Sequence, residues 1–162
     1  MKKHLIFLGF IFILISSIFY SCTKDIGKNP LLGYSDKALF DSCKKADGLY
    51  FYKGSSAVIT NDPAAGSPHG SFKLKFNSVA NSVLTDGGMI PAGQLFPNGS
   101  MVIKETTSGL YNFLYKREGS WLYGEVNQQS GKVVHSVGAD ASICTGCHNF
   151  ASRDHVISFD FY

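Results

Sequence analysis

The chain has few charged residues and no run of one sign beyond its first residues. Lys, Arg, Asp and Glu make up 17% of its 162 residues, whereas hydrophobic residues make up 44%. Such a composition excludes an intrinsically disordered chain. Removing an N-terminal segment that holds Lys2 and Lys3 would lower the formal net charge from +3 to +1. Because no basic cluster follows, we expect no nucleic-acid partner.

Internal repeats and low-complexity segments are also absent from the sequence. The length lies within the usual range for one domain, so we expect residues 34–162 to form a single folded domain. Aromatic residues are plentiful at 14%, which suits a β-rich core or a cofactor pocket.

The N-terminus has the pattern of an export signal. A basic pair precedes an apolar run from Leu5 to Tyr20, and Ser21 then leads to Cys22. A basic start, an apolar centre and a small residue before the cut are typical of secreted precursors. A cysteine at this point resembles a bacterial lipobox, in which the cysteine becomes the lipid-modified new N-terminus. We therefore expect residues 1–21 to be a lipoprotein signal peptide and residues 22–33 to be a tether.

An uncleaved signal anchor is the alternative, since the apolar run is close to the lower limit of about 17 residues for crossing a bilayer. In both cases the rest of the chain is exported. Two or more acyl chains at Cys22 would hold it stably at a membrane. We expect the protein to be lipid-anchored in the bacterial cell envelope, facing the periplasm or the cell surface.

The pattern of apolar residues predicts an α+β fold dominated by an antiparallel sheet. Phe72, Leu74 and Phe76 alternate with Lys73 and Lys75, which is typical of a half-buried strand. Short connections between the later strands favour antiparallel neighbours. The other predicted strands are Met101–Thr106, Tyr111–Arg117, Trp121–Val126, a final strand Val156–Tyr162 and, as a strand or a loop, Val133–Val137. The predicted short helices are Ser35–Ala46, Asn77–Leu84 and a turn that carries the last two cysteines.

The segment from Cys144 to His148 has the spacing of a haem-c attachment site, Cys-x-x-Cys-His. Two thiols three positions apart reach the two vinyl groups on one edge of a porphyrin, and the next residue places an imidazole under the iron. The predicted cofactor is therefore haem c, with Cys144 and Cys147 as thioethers and His148 as the metal ligand. A redox dithiol and half of a zinc site with His135 and His155 are the alternatives, although no second Cys-x-x-Cys is present.

The remaining cysteines are Cys22 and Cys43. If Cys22 takes lipid and the Cys144/Cys147 pair takes haem, Cys43 is left alone. It is then either a buried, inert thiol or one that pairs between chains.

The sixth position of the iron decides what such a haem does. A Met or His ligand there gives electron transfer, whereas an open, apolar site gives gas or substrate binding. The residues that could supply a ligand are Met89, Met101, His69, His135 and His155. The aromatic residues that could line an apolar distal face are Phe72, Phe76, Phe96 and Tyr111.

Three segments together resemble the cytochrome P-460 and cytochrome c′-beta family. Phe96–Glu105 is similar to its Phe-Pro-Asp-Gly segment and the Lys-Glu that ends it. The segment Gly119–Gly124, a predicted strand that contains the tryptophan, follows. Cys144–Ile157 is similar to the C-terminal segment of the family. The resemblance covers roughly residues 72 to 159. It implies a sheet-based haem-c protein, usually a homodimer, with His148 as the proximal ligand.

The family has two functional branches. In the branch that oxidises hydroxylamine, a lysine is also bonded to the porphyrin and a distal carboxylate assists proton transfer. The resemblance implies Lys73 or Lys75 for that lysine, although both alternate away from the apolar face. Glu105 and Glu125 lie on predicted strands, and neither can be assigned to the carboxylate. In the cytochrome c′-beta branch an apolar pocket binds nitric oxide or carbon monoxide.

Three functions follow as hypotheses. The first is a haem-c protein that binds small diatomic gases of the nitric oxide type at an open, five-coordinate iron. The second is an oxidoreductase of the cross-linked type that acts on hydroxylamine or peroxide. The third is an electron carrier with a sixth protein ligand, which would work with a redox partner protein.

Overall fold

A computed structural model describes residues 35–45, 47–60, 68–86, 88–118, 120–149, 154 and 156. The predicted signal peptide, the tether and, apart from Val156, the predicted final strand lie outside these residues. The elements below all belong to one compact unit, Tyr34–Tyr162. Among the described residues, no helix is both long and apolar enough to cross a membrane.

Six antiparallel strands form one sheet in which every strand pairs with its neighbours in sequence. This confirms the predicted α+β class. The strands are β1 (Leu49–Phe51), β2 (Phe72–Asn77), β3 (Met101–Thr106), β4 (Leu110–Arg117), β5 (Ser120–Asn127) and β6 (Val133–His135).

Three short α-helices and a 3-10 turn accompany the sheet. They are α1 (Asp36–Lys44), the 3-10 turn Tyr52–Gly54, α2 (Ser78–Asn81) and α3 (Ser142–His148). Helix α1 begins where predicted, because the Ser35 side chain accepts a hydrogen bond from the Ala38 amide at 3.3 Å. It ends at Lys44, two residues before the predicted end.

The meander β3–β4–β5 follows the predicted strands to within one residue at each end. Its turns are tight because each contains a residue with a left-handed backbone. These residues are Gly109, with φ of 86°, and Glu118, with φ of 49°. Glycine adopts this conformation without a steric penalty, whereas Glu118 adopts it at some cost.

The pleat divides the central strands into two faces. Cys144 packs on the side that includes Leu74, Val102, Leu114 and Tyr123; we call this side the motif face. Leu39 and Cys43 of helix α1 pack on the opposite side, together with Met101, Ile103, Phe113, Tyr115 and Val126. We call this second side the helix face.

Gly124 on β5 makes room for a ring on the helix face. The Phe113 side chain lies directly opposite on β4, and a Cβ atom at Gly124 would lie 2.3 Å from Phe113 Cζ. Phe113 is buried and has little freedom to move aside. A glycine is therefore required at this position of the strand.

Lys75 alternates away from the apolar face of β2, as the sequence indicates, but it is buried. Its side chain is 8% exposed and forms an ion pair with Glu105 at 2.6 Å, while Lys73 lies 3.8 Å from the same carboxylate. The Lys75 amine also lies 5.3 Å from the centre of the Tyr111 ring and 3.5 Å from the Cys43 carbonyl. The period-two pattern assigned the face correctly, but helix α1 covers it.

Candidate functional site

Helix α3 carries all three residues of the Cys-x-x-Cys-His motif. Positions three and four apart lie on one side of a helix, so Cys144 is near both Cys147 and His148 along it. Cys144 is half-buried against the motif face, Cys147 is exposed, and His148 is only 8% exposed. The Asp140 side chain accepts a hydrogen bond from the Ser142 amide at 3.0 Å and so supports the start of the helix.

The Cys144 thiol is in an environment that keeps it protonated. Burial raises the pKa of Cys144, and the nearby Glu125 charge raises it further. Burial also raises the pKa of the Cys43 thiol, to about 12. Reactive cysteines instead have lowered pKa values, so neither thiol has the electrostatics of a nucleophile.

The His148 ring lies between aromatic and imidazole neighbours. Its centre is 5.2 Å from that of Tyr123, with the rings 63° apart, and 6.4 Å from that of His69, with the rings 59° apart. His69 precedes β2, so it reaches the motif from a distant part of the chain. Of the five residues predicted to supply a sixth ligand, the structure brings His69 next to His148.

His69 is held by the side chain of Asn112 on β4, with 2.7 Å between Asn112 Nδ2 and His69 Nδ1. Burial lowers the pKa of His69 to about 4, and the charges of Lys104 and His148 contribute in the same direction. The imidazole is therefore neutral near pH 7, which is the form that binds metals.

Lys104 is a lysine on the motif face that the sequence reasoning did not single out. It lies opposite Leu74 and Asn112 in the sheet, with its amine 4.6 Å from the centre of the Phe72 ring. Burial lowers the pKa of Lys104 to about 8. Within the described residues no carboxylate is paired with it. The alternation along β3 is the signal that places it there.

The cross-strand register sorts the other predicted site residues between the two faces. Glu125 lies opposite Asn112, and His135 lies opposite Glu125, so both belong to the row of Lys104 on the motif face. Phe72, Phe76 and Phe96 belong to the core cluster that includes Cys144 on this face. The predicted residues on the helix face are Lys73, Lys75, Met101, Glu105 and Tyr111.

Two of the predicted ligands remain apart from this arrangement. Met89 lies in the loop after α2, where its backbone bridges to Thr85. His155 lies outside the described residues. Within the described residues, no three His, Cys, Asp or Glu side chains are grouped to hold a metal ion.

Asp154, which follows helix α3 in the sequence, is bonded to β4, β5 and the Phe96 amide. Its carboxylate accepts hydrogen bonds from Lys116 Nζ at 2.6 and 2.7 Å, from Trp121 Nε1 at 3.2 Å and from the Phe96 amide at 2.7 Å. The Lys116 and Asp154 side chains are 5% and 6% exposed. The sequence reasoning gave Asp154 no role, because no local pattern pairs it with residues on β4 and β5.

The residues of the motif face fit a haem attached through the motif. Both thiols are free, they lie on one helix, and the histidine that follows them is buried. Aromatic side chains make up half of the buried residues on this face, and His69 and Lys104 are polar residues beside them. Such a mostly apolar site with few polar groups is typical of cofactor sites.

Comparison with known proteins identifies no relative of this chain. No protein-family model matches the chain, and no curated protein or solved structure is significantly similar to it.

The buried ion pair of Asp154 with Lys116 predicts that a substitution at Asp154 lowers stability. Asp154→Asn keeps the shape of the side chain but leaves the Lys116 charge buried without its counter-charge. We expect a loss of about 3 kcal/mol in the free energy of unfolding, measured by urea denaturation. Asp41→Asn is the matched control, because the exposed Lys37–Asp41 pair contributes less than about 1 kcal/mol. Equal losses in the two variants would contradict a structural role for the buried pair.

Proposed function

We propose that the protein is an exported c-type haem protein that binds small diatomic gases of the nitric oxide type. Cys144 and Cys147 would form the thioethers, and His148 would be the axial ligand. When bound, the haem supplies an iron that takes up the gas. The observation that carries the proposal is that one helix bears both thiols and a buried histidine against an aromatic-rich sheet face.

The chemistry of the thiols favours haem over a redox dithiol. A redox-active Cys-x-x-Cys needs a stabilised thiolate, whereas burial and Glu125 raise the pKa of Cys144. A zinc site would need further ligands at tetrahedral spacing. Of the two histidines considered for such a site, His135 lies opposite Glu125 on the edge strand and His155 lies outside the described residues.

Gas binding is supported by the character of the motif face. Phe72, Leu74, Phe76 and Phe96 are buried there, and apolar surroundings suit a neutral diatomic ligand better than a charged substrate. The chain's role in this function is to hold the porphyrin by two bonds, orient His148 and restrict access of water to the iron.

Covalent attachment is tested by expression with a c-type haem maturation system. We expect the haem to stay on the chain through acidified acetone, and nitric oxide to change the ferrous absorption spectrum. Cys144→Ser and Cys147→Ser should each leave a single thioether, whereas Cys43→Ser should have no effect. Haem that is fully extractable from the unmodified protein would refute the proposal.

A cross-linked oxidoreductase is the second candidate, and Lys104 is the observation that favours it. Lys73 and Lys75 lie on the helix face with Glu105, and Lys116 is bound to Asp154. Lys104 instead lies on the motif face, with a pKa lowered to about 8, so part of it is an uncharged nucleophile at neutral pH.

Peptide mapping of the holoprotein separates the two candidates. A lysine–porphyrin bond would appear as a haem peptide that includes Lys104 and as an altered absorption spectrum that Lys104→Met removes. Lys73→Met is the matched control on the helix face. An unmodified Lys104 peptide would exclude that residue as the cross-link and leave the gas-binding function.

The proposed membrane anchor depends on Cys22. Cells that express Cys22→Ser should release the protein from the detergent-rich phase to the aqueous phase on detergent partitioning, since no acyl chain is added. Cys43→Ser should remain in the detergent-rich phase. Membrane retention of Cys22→Ser would favour the uncleaved signal anchor instead.

A further inference from the structure

We propose that His69 is the second axial ligand of the iron that His148 binds, so that a gas must displace His69 to bind. The inference rests on the proposed function, since it requires a haem at the motif. It replaces the expectation of an open, five-coordinate iron. Two independent features of the structure support it: the separation of the two imidazoles and the polar partner of His69.

The separation matches two imidazoles on one metal. A histidine nitrogen lies about 2 Å from a bound transition metal, and an imidazole centre lies about 1.2 Å from its nitrogen, so two opposed ligands have ring centres about 6.4 Å apart. The centres of His69 and His148 are 6.4 Å apart. The two rings therefore have the spacing that a shared iron requires.

A direct hydrogen bond between the rings does not account for this distance. With about 3 Å between two ring nitrogens, the ring centres are at most about 5.4 Å apart. The observed 6.4 Å exceeds this limit, so the two rings are not paired nitrogen to nitrogen. His69 therefore does not orient His148 through a direct hydrogen bond between the two rings.

Asn112 determines which nitrogen of His69 is available. Its Nδ2 lies 2.7 Å from His69 Nδ1, whereas its Oδ1 is buried and has no partner in the described part of the chain. The two ends of an amide side chain are exchanged by a half-turn. After that turn, Oδ1 accepts a hydrogen bond from His69 Nδ1–H.

This arrangement is the one a metal-binding histidine needs. Such histidines commonly donate one ring N–H to a carbonyl, which leaves the lone pair of the other nitrogen for the metal. With Nδ1 bonded to Asn112, Nε2 is the nitrogen of His69 that would bind the iron. The Asn112 contact to Nδ1 and the imidazole spacing therefore point to the same assignment.

The test uses the purified holoprotein and its absorption and electron paramagnetic resonance spectra. We expect low-spin iron in the ferric and ferrous protein, high-spin iron in His69→Gly, and a return to low spin when free imidazole is added to that variant. His135→Gly, on the same face, is the matched control and should stay low-spin. Rescue by imidazole is a result that a packing role for His69 would not give.

Carbon monoxide supplies a kinetic readout. Its association with the ferrous protein should reach a plateau rate set by release of His69, and His69→Gly should bind at least tenfold faster with no plateau. High-spin iron in the unmodified protein, or low-spin iron in His69→Gly without added imidazole, would overturn the assignment. Failure of the proposed function is distinguishable, because the chain would then carry no covalent haem.

Discussion

The register of the central strands is the constraint on which the candidate site depends. Along β3, β4 and β5 every second residue faces the motif side, and the pairing aligns Lys104, Asn112 and Glu125 in one row. A slip of one residue in β4 would replace Asn112 by Tyr111 or Phe113 and remove the partner of His69. The placement of His69 and Asn112 near His148 therefore depends on the pairing of the whole sheet.

A second constraint near the motif is Asp154, which follows it in the sequence. A helix of seven residues has little stability of its own, so its position depends on what holds its ends. Asp140 supports its start, and Asp154, six residues after His148, is bonded to Lys116, Trp121 and the Phe96 amide. A buried ion pair is weak evidence for stability, but here it joins a residue that follows the motif to strands β4 and β5.

Much of the fold could be predicted from local patterns. Alternation identified β2 and the β3–β5 meander, Ser35 identified the start of α1, and the cysteine spacing identified α3. What could not be predicted depends on residues distant in sequence. Lys75 is buried because helix α1 covers it, and His69 reaches His148 only through the register that presents Asn112. The motif could be identified from the sequence because its residues lie within one short segment. The residues around it come from distant parts of the chain, so they could not be predicted.

We propose that the motif holds a haem by two covalent bonds, so both of its thiols are consumed in the holoprotein. Alkylation of the denatured holoprotein with a thiol reagent, followed by peptide mass analysis, reports on each thiol. We expect that Cys43 is alkylated while Cys144 and Cys147 are blocked and share one peptide with an intact haem. Alkylation of Cys144 and Cys147 in a protein matured with abundant haem would contradict it.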